Sequence, residues 1–381
     1  MIDLASVVRP GDGIIVGQAC AEPQTLVEAL VAQRERLSGC QVFLGVNYSG
    51  TLKPLHADHL KLRSYGGIGY NRALSDAGVI EVMRIPYSQI APLIRSGGIR
   101  ADVVLVQVSP PNGRGEYSLG LAADYLVPAL DVCRTLVAEV NQQIPWTHTE
   151  RVLKREDFDL VVESSRPAAA PRSRPAGALE AAIAGHAAAF VPDGATLEFG
   201  VGALPDAVCA ALTERRRLRV HSGTVGDGIV PLLEKNVIEA VACAMLIGSP
   251  ALFGAARDHS RIRLRSSEYT HSAEVLGRID KFVAINSAVE VDLTGQVNSE
   301  LAGGSYVGAV GGAPDFIGAA NRSPGGVSLI LIPSSRIVEQ LSGPVSMPAS
   351  EAGVVVTERG AADLRGCDAV RRRERLRAVM S

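Results

Sequence analysis

The residues best suited to chemistry gather in Asp193–Val208. This stretch reads as a short apolar strand, a Gly-x-Gly turn at Gly200-Val201-Gly202, and a helix that Pro205 helps to start. Glycines at a strand-to-helix turn let backbone N–H groups approach an anion or an oxyanion closely. Glu198 falls at the carboxyl end of the strand, where open α/β sheets place their ligand crevices. A carboxylate in such a crevice is a candidate nucleophile or base. Glu268, in the run Ser267–His271, is a weaker candidate by the same logic. Taken alone, Gly-x-Gly is equally a plain tight turn, and a glutamate at a strand end is equally a hydrogen-bonded or exposed group.

The elements that must position these residues are legible along the chain. Arg9–Gly17 forms a turn and an apolar strand, and Gln24–Val31 follows with helical periodicity. Gln41–Gly45 is a second strand. Asp102–Val108 is a continuous apolar run of the buried parallel kind, and Thr135–Asn141 is another. Between them, Ser109–Gly120 is a dense turn segment. The Gly-rich stretch Ser64–Gly78 is a loop near a helix start, either substrate-facing or a plain connection. Trp146, the single tryptophan, sits beside His148 and reads as a packed corner in preference to part of an acyl pocket. Ser164–Ala178 is rich in Pro, Ala and Arg and marks a linker. The expected organisation is therefore residues 1–163 as a first α/β domain, 164–178 as the linker, and 179–381 as a second α/β domain.

Composition narrows the class. The chain has 381 residues, 47% of them hydrophobic but only 4% aromatic, and contains 39 glycines. Layered α/β domains with cores of Ala, Val, Leu and Ile fit this better than all-β or coiled-coil architectures. A formal net charge of −2 gives no electrostatic argument for a nucleic-acid partner. Cys20, Cys40, Cys133, Cys209, Cys243 and Cys367 are scattered, with no C-x-x-C pair and no His at ligand spacing, so buried thiols are expected in place of metal ligands or disulfides. The start Met1-Ile2-Asp3-Leu4 lacks the form of a signal peptide, and no apolar run is long enough to span a membrane. A cytoplasmic protein without metal or membrane association is the expectation.

The second half repeats the first. Pro10–Gly17, with Pro23 and Ala29-Leu30 after it, mirrors Pro192–Gly200 with Pro205 and Ala211-Leu212. The buried strand before Asn112–Ser118 mirrors Phe282–Asn286 before Asp292–Asn298. The separations Gly17 to Gly115 and Gly200 to Gly295 are nearly equal. Two matches at similar offsets imply two α/β domains of one topology, facing each other across a cleft.

Four segments of the second half carry a resemblance: Gly200–Pro205, Ala284–Asn298, Gly311–Phe316 and Val355–Gly366. In the first half Gln107–Asn112 and Glu139–Pro145 agree. Together they resemble the acetyl-CoA hydrolase/transferase family, which includes 4-hydroxybutyrate and succinyl-CoA:acetate CoA-transferases. The resemblance spans essentially the whole chain and implies two similar open-sheet α/β domains of the CoA-transferase type.

It also implies a mechanism. A glutamate carboxylate attacks an acyl-CoA, an acyl-glutamyl anhydride and a glutamyl-CoA thioester follow, and an acceptor carboxylate collects the CoA. The thioester oxyanion needs backbone donors, which Gly200, Val201, Gly202, Gly311 and Gly312 are suited to supply, and Asn286 lies in the shared motif. Gly325-Gly326 and Ser334-Ser335-Arg336 are loops for holding CoA or ordinary turns. Coenzyme A enters as substrate, and association into homo-oligomers is plausible for such a family. Where family members read His-(Ser/Thr)-Glu-Met and use that Glu as nucleophile, this chain has His221-Ser222-Gly223-Thr224. Gly223 cannot act in that way. Glu198 is the replacement candidate, positioned to project toward the space at Gly223 from an adjacent strand about 4.8 Å away. Members of the family usually continue beyond the Arg-rich end Arg371–Leu376, which otherwise reads as a solvated helix face. Transfer of CoA to a carboxylic acid is the leading expectation. Hydrolysis of a thioester or a C–C bond with Glu198 as base is the alternative, and a non-catalytic acyl-CoA-binding chain is the third.

Overall fold

A computed structural model describes residues 2–171 and 174–381; Arg172 and Ser173 of the expected linker lie outside the described residues. The chain forms two compact units. The first comprises residues up to Pro171 together with Ala244–Tyr269, and the second comprises the residues up to Cys243 that follow, together with Thr270–Ser381.

The first unit is built on a seven-stranded sheet. In chain order its strands are β1 (Gly13–Val16), β2 (Gln41–Leu44), β3 (Lys61–Ser64), β4 (Ile80–Val82), β5 (Val103–Val108), β6 (Thr135–Asn141) and β7 (Leu160–Ser164). Their spatial order is β4-β3-β2-β1-β5-β6-β7, and every neighbouring pair is parallel. Parallel strands covered on both faces have no side left for polar residues. Accordingly β5 and β6 are buried along their whole lengths. Helix α1 (Gln24–Ala32) follows β1 and packs Leu26, Val27 and Leu30 into the core with Ile14, Val42, Leu62 and Leu105.

The second unit repeats the plan. Its strands are β8 (Thr196–Phe199), β9 (Leu218–Val225), β10 (Ile238–Leu246), β11 (Phe282–Ser287), β12 (Val327–Leu331), β13 (Val354–Thr357) and β14 (Gly360–Asp363). They lie in the order β10-β9-β8-β11-β12-β13-β14. As in the first unit, the first strand is interior, the strands that follow it in the chain add outward on one side, and the later ones add on the other. The edge hairpin β13–β14 is antiparallel. The chain passes from the second unit to the first along β10. Helices α2 (Ala178–Ala188), α3 (Ala203–Ala211), α4 (Ala313–Arg322) and α5 (Ala369–Val379) complete the frame used here.

The sequence repeat has a structural counterpart at atomic detail. In the first unit Asn112 N–H donates to Glu116 O, Gly115 N–H donates to Asn112 O, and the Asn112 side-chain oxygen accepts from Arg114 and Glu116. In the second, Asp292 N–H donates to Gln296 O, Gly295 N–H donates to Asp292 O, and the Asp292 carboxylate accepts from Thr294 and Gln296. Gly115 and Gly295 both adopt positive φ, +74° and +91°, which glycine reaches without steric cost. Among the described residues no helix is long and apolar enough to cross a membrane. Among the described residues Cys20, Cys40, Cys209 and Cys243 are buried and Cys133 and Cys367 half-buried, none of them in a disulfide.

Candidate functional site

Strand β8 sets the centre of the site. It pairs in parallel with β11, with Glu198 opposite Ala284 and Phe199 opposite Ile285. On its other side it pairs with β9, with Leu197 opposite Val220. Carried one residue on, that register puts Glu198 beside His221, and Ser222 Oγ donating to Phe199 O at 2.9 Å agrees with it. Side chains directly opposite in a sheet share a face, and so do residues two apart on a strand. Glu198, His221, Gly223, Ala284 and Asn286 therefore point to one face, at the carboxyl ends of three adjacent parallel strands.

Glu198 is 4% exposed. Asn286 Nδ2 donates to its Oε2 at 2.7 Å. Burial pushes this carboxyl up to about 8, against the opposing pull of the Asn286 amide and the Ile285 backbone. Water is the best solvent for a carboxylate, and one hydrogen-bonding amide replaces only part of that solvation.

Past Glu198 the chain turns at Gly200-Val201-Gly202 into α3. Gly202 caps the helix at φ 115° and ψ −175°, a region essentially closed to other residues. Gly200 and Val201 are half-buried and Gly202 is exposed. The first amides of α3 have no partners inside the helix and are free to face an anion. Gly311 (φ 58°) and Gly312 lead in the same way into α4, where Gly312 occupies the cap position.

Gly223 and Gly312 share a neighbour. A Cβ built on Gly223 stands 3.1 Å from His271 Nε2, and one built on Gly312 stands 2.7 Å from the same atom. The Phe316 ring lies next, at 3.5 and 3.0 Å, and packs on the His271 ring with centroids 4.6 Å apart. His271 Nδ1 is hydrogen-bonded with Thr270 Oγ1 at 2.9 Å, and His221 Nε2 with Thr270 O at 2.9 Å. Burial, helped by His221 nearby, pushes the His271 imidazole down to about 3, so it is neutral throughout the ordinary pH range. The space beside Gly223 therefore holds an imidazole.

The second unit thus brings together Glu198 and Asn286 by a direct bond, and Gly223 and Gly312 through His271. Glu268 is placed otherwise. In the first unit Arg95 grips it through two hydrogen bonds, Nε to Oε1 at 2.6 Å and a terminal nitrogen to Oε2 at 2.7 Å. A carboxylate held bidentate by a guanidinium has both oxygens engaged in charge-assisted hydrogen bonds. Glu290 and Asp292 do structural work: Glu290 accepts from Ser342, and Asp292 closes the turn described above. His271 is the member of this group that sequence reasoning passed over as a site residue. Its only local signal is its place after Thr270; the contact with two glycines remote in sequence exists only in the fold.

Residues 2–170 match the acetyl-CoA hydrolase/transferase N-terminal domain, and residues 248–380 match the C-terminal domain of the same family. The chain is 31% identical over 373 residues to 4-hydroxybutyrate coenzyme A transferase of Clostridium kluyveri, covering 93% of this chain and 87% of that one. It is 29% identical over 388 residues to succinyl-CoA:cyclohexane-1-carboxylate CoA transferase of Geobacter metallireducens, covering 96% and 88%. The crystal structure of RipA from Yersinia pestis superposes with a TM-score of 0.93 at 28% identity, covering 99% of this chain and 92% of that one.

Proposed function

This chain belongs to the acetyl-CoA hydrolase/transferase family, and from that premise we propose that it moves CoA from an acyl-CoA thioester to a carboxylic acid, with Glu198 as the reacting carboxylate. One observation carries the assignment to Glu198. It is a buried carboxyl at the carboxyl end of β8, held by Asn286 and followed at once by the amides of a Gly-x-Gly turn. Both named relatives are CoA transferases, which favours transfer as the reaction.

In this reading ionised Glu198 attacks the thioester carbonyl. The C–S bond breaks, CoA leaves as thiolate, and the acyl group stays on Glu198 as an anhydride. The thiolate then attacks the glutamyl carbonyl, forming glutamyl-CoA and releasing the donor acid. The acceptor carboxylate repeats the exchange in reverse and leaves as the new acyl-CoA. The amides at Gly200–Gly202 and Gly311–Gly312 supply donors for the oxyanions, and binding of the distant nucleotide end of CoA drives the strained steps. With its carboxyl titrating at about 8, roughly one Glu198 in ten is ionised at pH 7. Transfer should therefore accelerate as pH rises toward 8.

The same raised carboxyl supports a second reading. A base that titrates near the working pH is suited to taking a proton from water, which would make the reaction thioester hydrolysis. Incubation with a panel of acyl-CoAs, followed by peptide mass spectrometry and a thiol assay, separates the two. An acyl or CoA adduct on the Glu198 peptide, with thiol release dependent on an added carboxylic acid, is the expected result. Thiol release without acceptor and without adduct would replace transfer by hydrolysis. An adduct on another carboxylate, Glu268 included, would overturn the assignment to Glu198.

A further inference from the structure

The two oxygens of the Glu198 carboxyl are held unequally. Asn286 Nδ2 donates to Oε2 at 2.7 Å, and among the described residues no side chain hydrogen-bonds Oε1. The sheet sets the place of this amide. Asn286 stands on β11, paired in parallel with Ile330 of β12, two residues beyond the Ala284 that lies opposite Glu198. Its side chain therefore falls on the Glu198 face. An ionised carboxylate only accepts hydrogen bonds, so the amide must turn its nitrogen toward it. The Ile285 backbone also favours the ionised form. Glu198 is buried, so charge gathering on Oε2 is answered by these fixed groups in place of water.

We propose that Asn286 is a further catalytic residue, the donor to the charge that appears on Oε2 whenever the Glu198 carbonyl is itself attacked, and that its grip on Oε2 reserves Oε1 for the bond to the acyl group. The inference rests on the reading that CoA transfer proceeds through Glu198. Oε1 attacks the thioester carbonyl, the C–S bond breaks, and CoA leaves as thiolate. Oε1 then bridges Glu198 and the acyl group, and Oε2 is a carbonyl oxygen. The thiolate adds to Glu198 Cδ, and the C=O electron pair moves onto Oε2, facing Asn286 Nδ2. Collapse restores that carbonyl and breaks the Cδ–Oε1 bond, so Oε1 departs with the donor carboxylate. The acceptor carboxylate adds to the same carbon, charges Oε2 again, and expels the thiolate. When the thiolate takes the new acyl group, one acceptor oxygen stays on Glu198 as its next Oε1. Each turnover thus replaces Oε1 and conserves Oε2. An amide aimed at Oε2 beforehand needs no reorientation as the charge develops. The backbone amides of Gly200–Gly202 and Gly311–Gly312 are left to the carbonyl of the substrate.

The test follows those oxygens. Wild-type protein is cycled with the acyl-CoA of the panel that it consumes fastest, together with an excess of the parent acid carrying oxygen-18 at both carboxyl oxygens. The Glu198 peptide is then weighed by mass spectrometry. One labelled oxygen, with no advance to two over many turnovers, is the expected result. Two labelled oxygens mean that the carboxylate flips between cycles; that overturns the role of Asn286 and leaves Glu198 as the nucleophile. No label in this peptide while thioester is consumed overturns the transfer reading and this inference with it.

Packing alone is another way to stop a carboxylate from flipping, and Asn286→Leu, which keeps the bulk, separates the two causes, with Asn286→Ala made alongside as a second route to a folded variant. Both leave the Ile285 backbone in place. At equal numbers of turnovers the label should advance to both oxygens. The same variants should lower kcat by about 100-fold, the scale for one preorganised donor, with KM little changed. A folded variant that still stops at one label, or that keeps the wild-type kcat, overturns the proposal.

Discussion

A carboxyl that must lose its proton inside a protein does so against the cost of leaving water, and Glu198 titrates at about 8 in place of its ordinary 4.5 for that reason. The sign of the effect on stability follows. Between those two values the folded chain holds a proton that the unfolded chain has released, so stability falls as pH rises from about 4.5 and the loss is complete above about 8. Glu198→Gln keeps the shape and the acceptor for Asn286 but does not titrate. Denaturation curves of the two proteins should coincide near pH 4.5 and separate toward pH 9, with the variant the more stable there by a few kcal/mol. Parallel curves across that range would mean that Glu198 is solvated normally. His271 acts in the opposite direction. Its imidazole is held down to about 3 from 6.5, so stability that is fully present above pH 6.5 is lost progressively as acid charges the unfolded chain first. His271→Gln should therefore flatten the acid limb of the stability profile, measured by thermal midpoint from pH 7 to pH 4.

At the scale of elements, two helix starts solve the same problem by different means. The first amides of α1 are satisfied by a buried carboxylate: Glu139 on β6 accepts from Thr25 N and Leu26 N, from Thr25 Oγ1, and from Ser164 Oγ on β7. Glu139→Ala would leave those donors buried and unpaired, at a cost of about 3 kcal/mol. The check is a lower denaturant midpoint with unchanged slope. At α3 the cap residue makes no side-chain hydrogen bond, and the chain enters the helix through Gly202 at φ 115°. Gly202→Ala should cost about 1–3 kcal/mol in strain and lower turnover of acyl-CoA more than its stability loss accounts for; full activity would argue against a role for this turn. These elements differ in how well the sequence announces them. Val103–Val108 and Thr135–Asn141 are mostly apolar runs, as parallel strands buried on both faces require, and their bounds agree with the structure to within a residue. Strand β9 is legible only as far as His221. Ser222, Gly223 and Thr224 extend it to Val225 without an apolar period, because small and polar residues stand there. The part played by Glu139 is invisible locally, since Thr25 and Leu26 lie more than 100 residues away along the chain.

The largest scale is the repeat. A shared topology for two units, with matching turns at Asn112 and Asp292, is legible in spacings alone, because glycine and turn residues fix backbone geometry wherever they recur. The assignment of Ala244–Tyr269 to the first unit has no such signal, since periodicity reports a segment's shape and not its neighbours. The same limit hid His271, which meets Gly223 and Gly312 only once β9 and α4 are in place. If the repeat has been specialised in this way, with chemistry gathered on the second unit, ligand binding should leave a local trace. A thioether analogue of acyl-CoA at 100 times its Kd stabilises the protein by about 2.7 kcal/mol, which lowers exchange through global opening about 100-fold at every core amide. Amides at the site should be slowed further, because they are contacted directly: those of residues 199–203, 222–224 and 311–313. The amides of Thr25 and Leu26, already held by Glu139, serve as the reference that feels global stabilisation alone. Exchange measured by mass spectrometry with and without the analogue should show the three segments slowed beyond that reference. Uniform slowing across the chain would place the ligand elsewhere and remove Glu198 from the reaction.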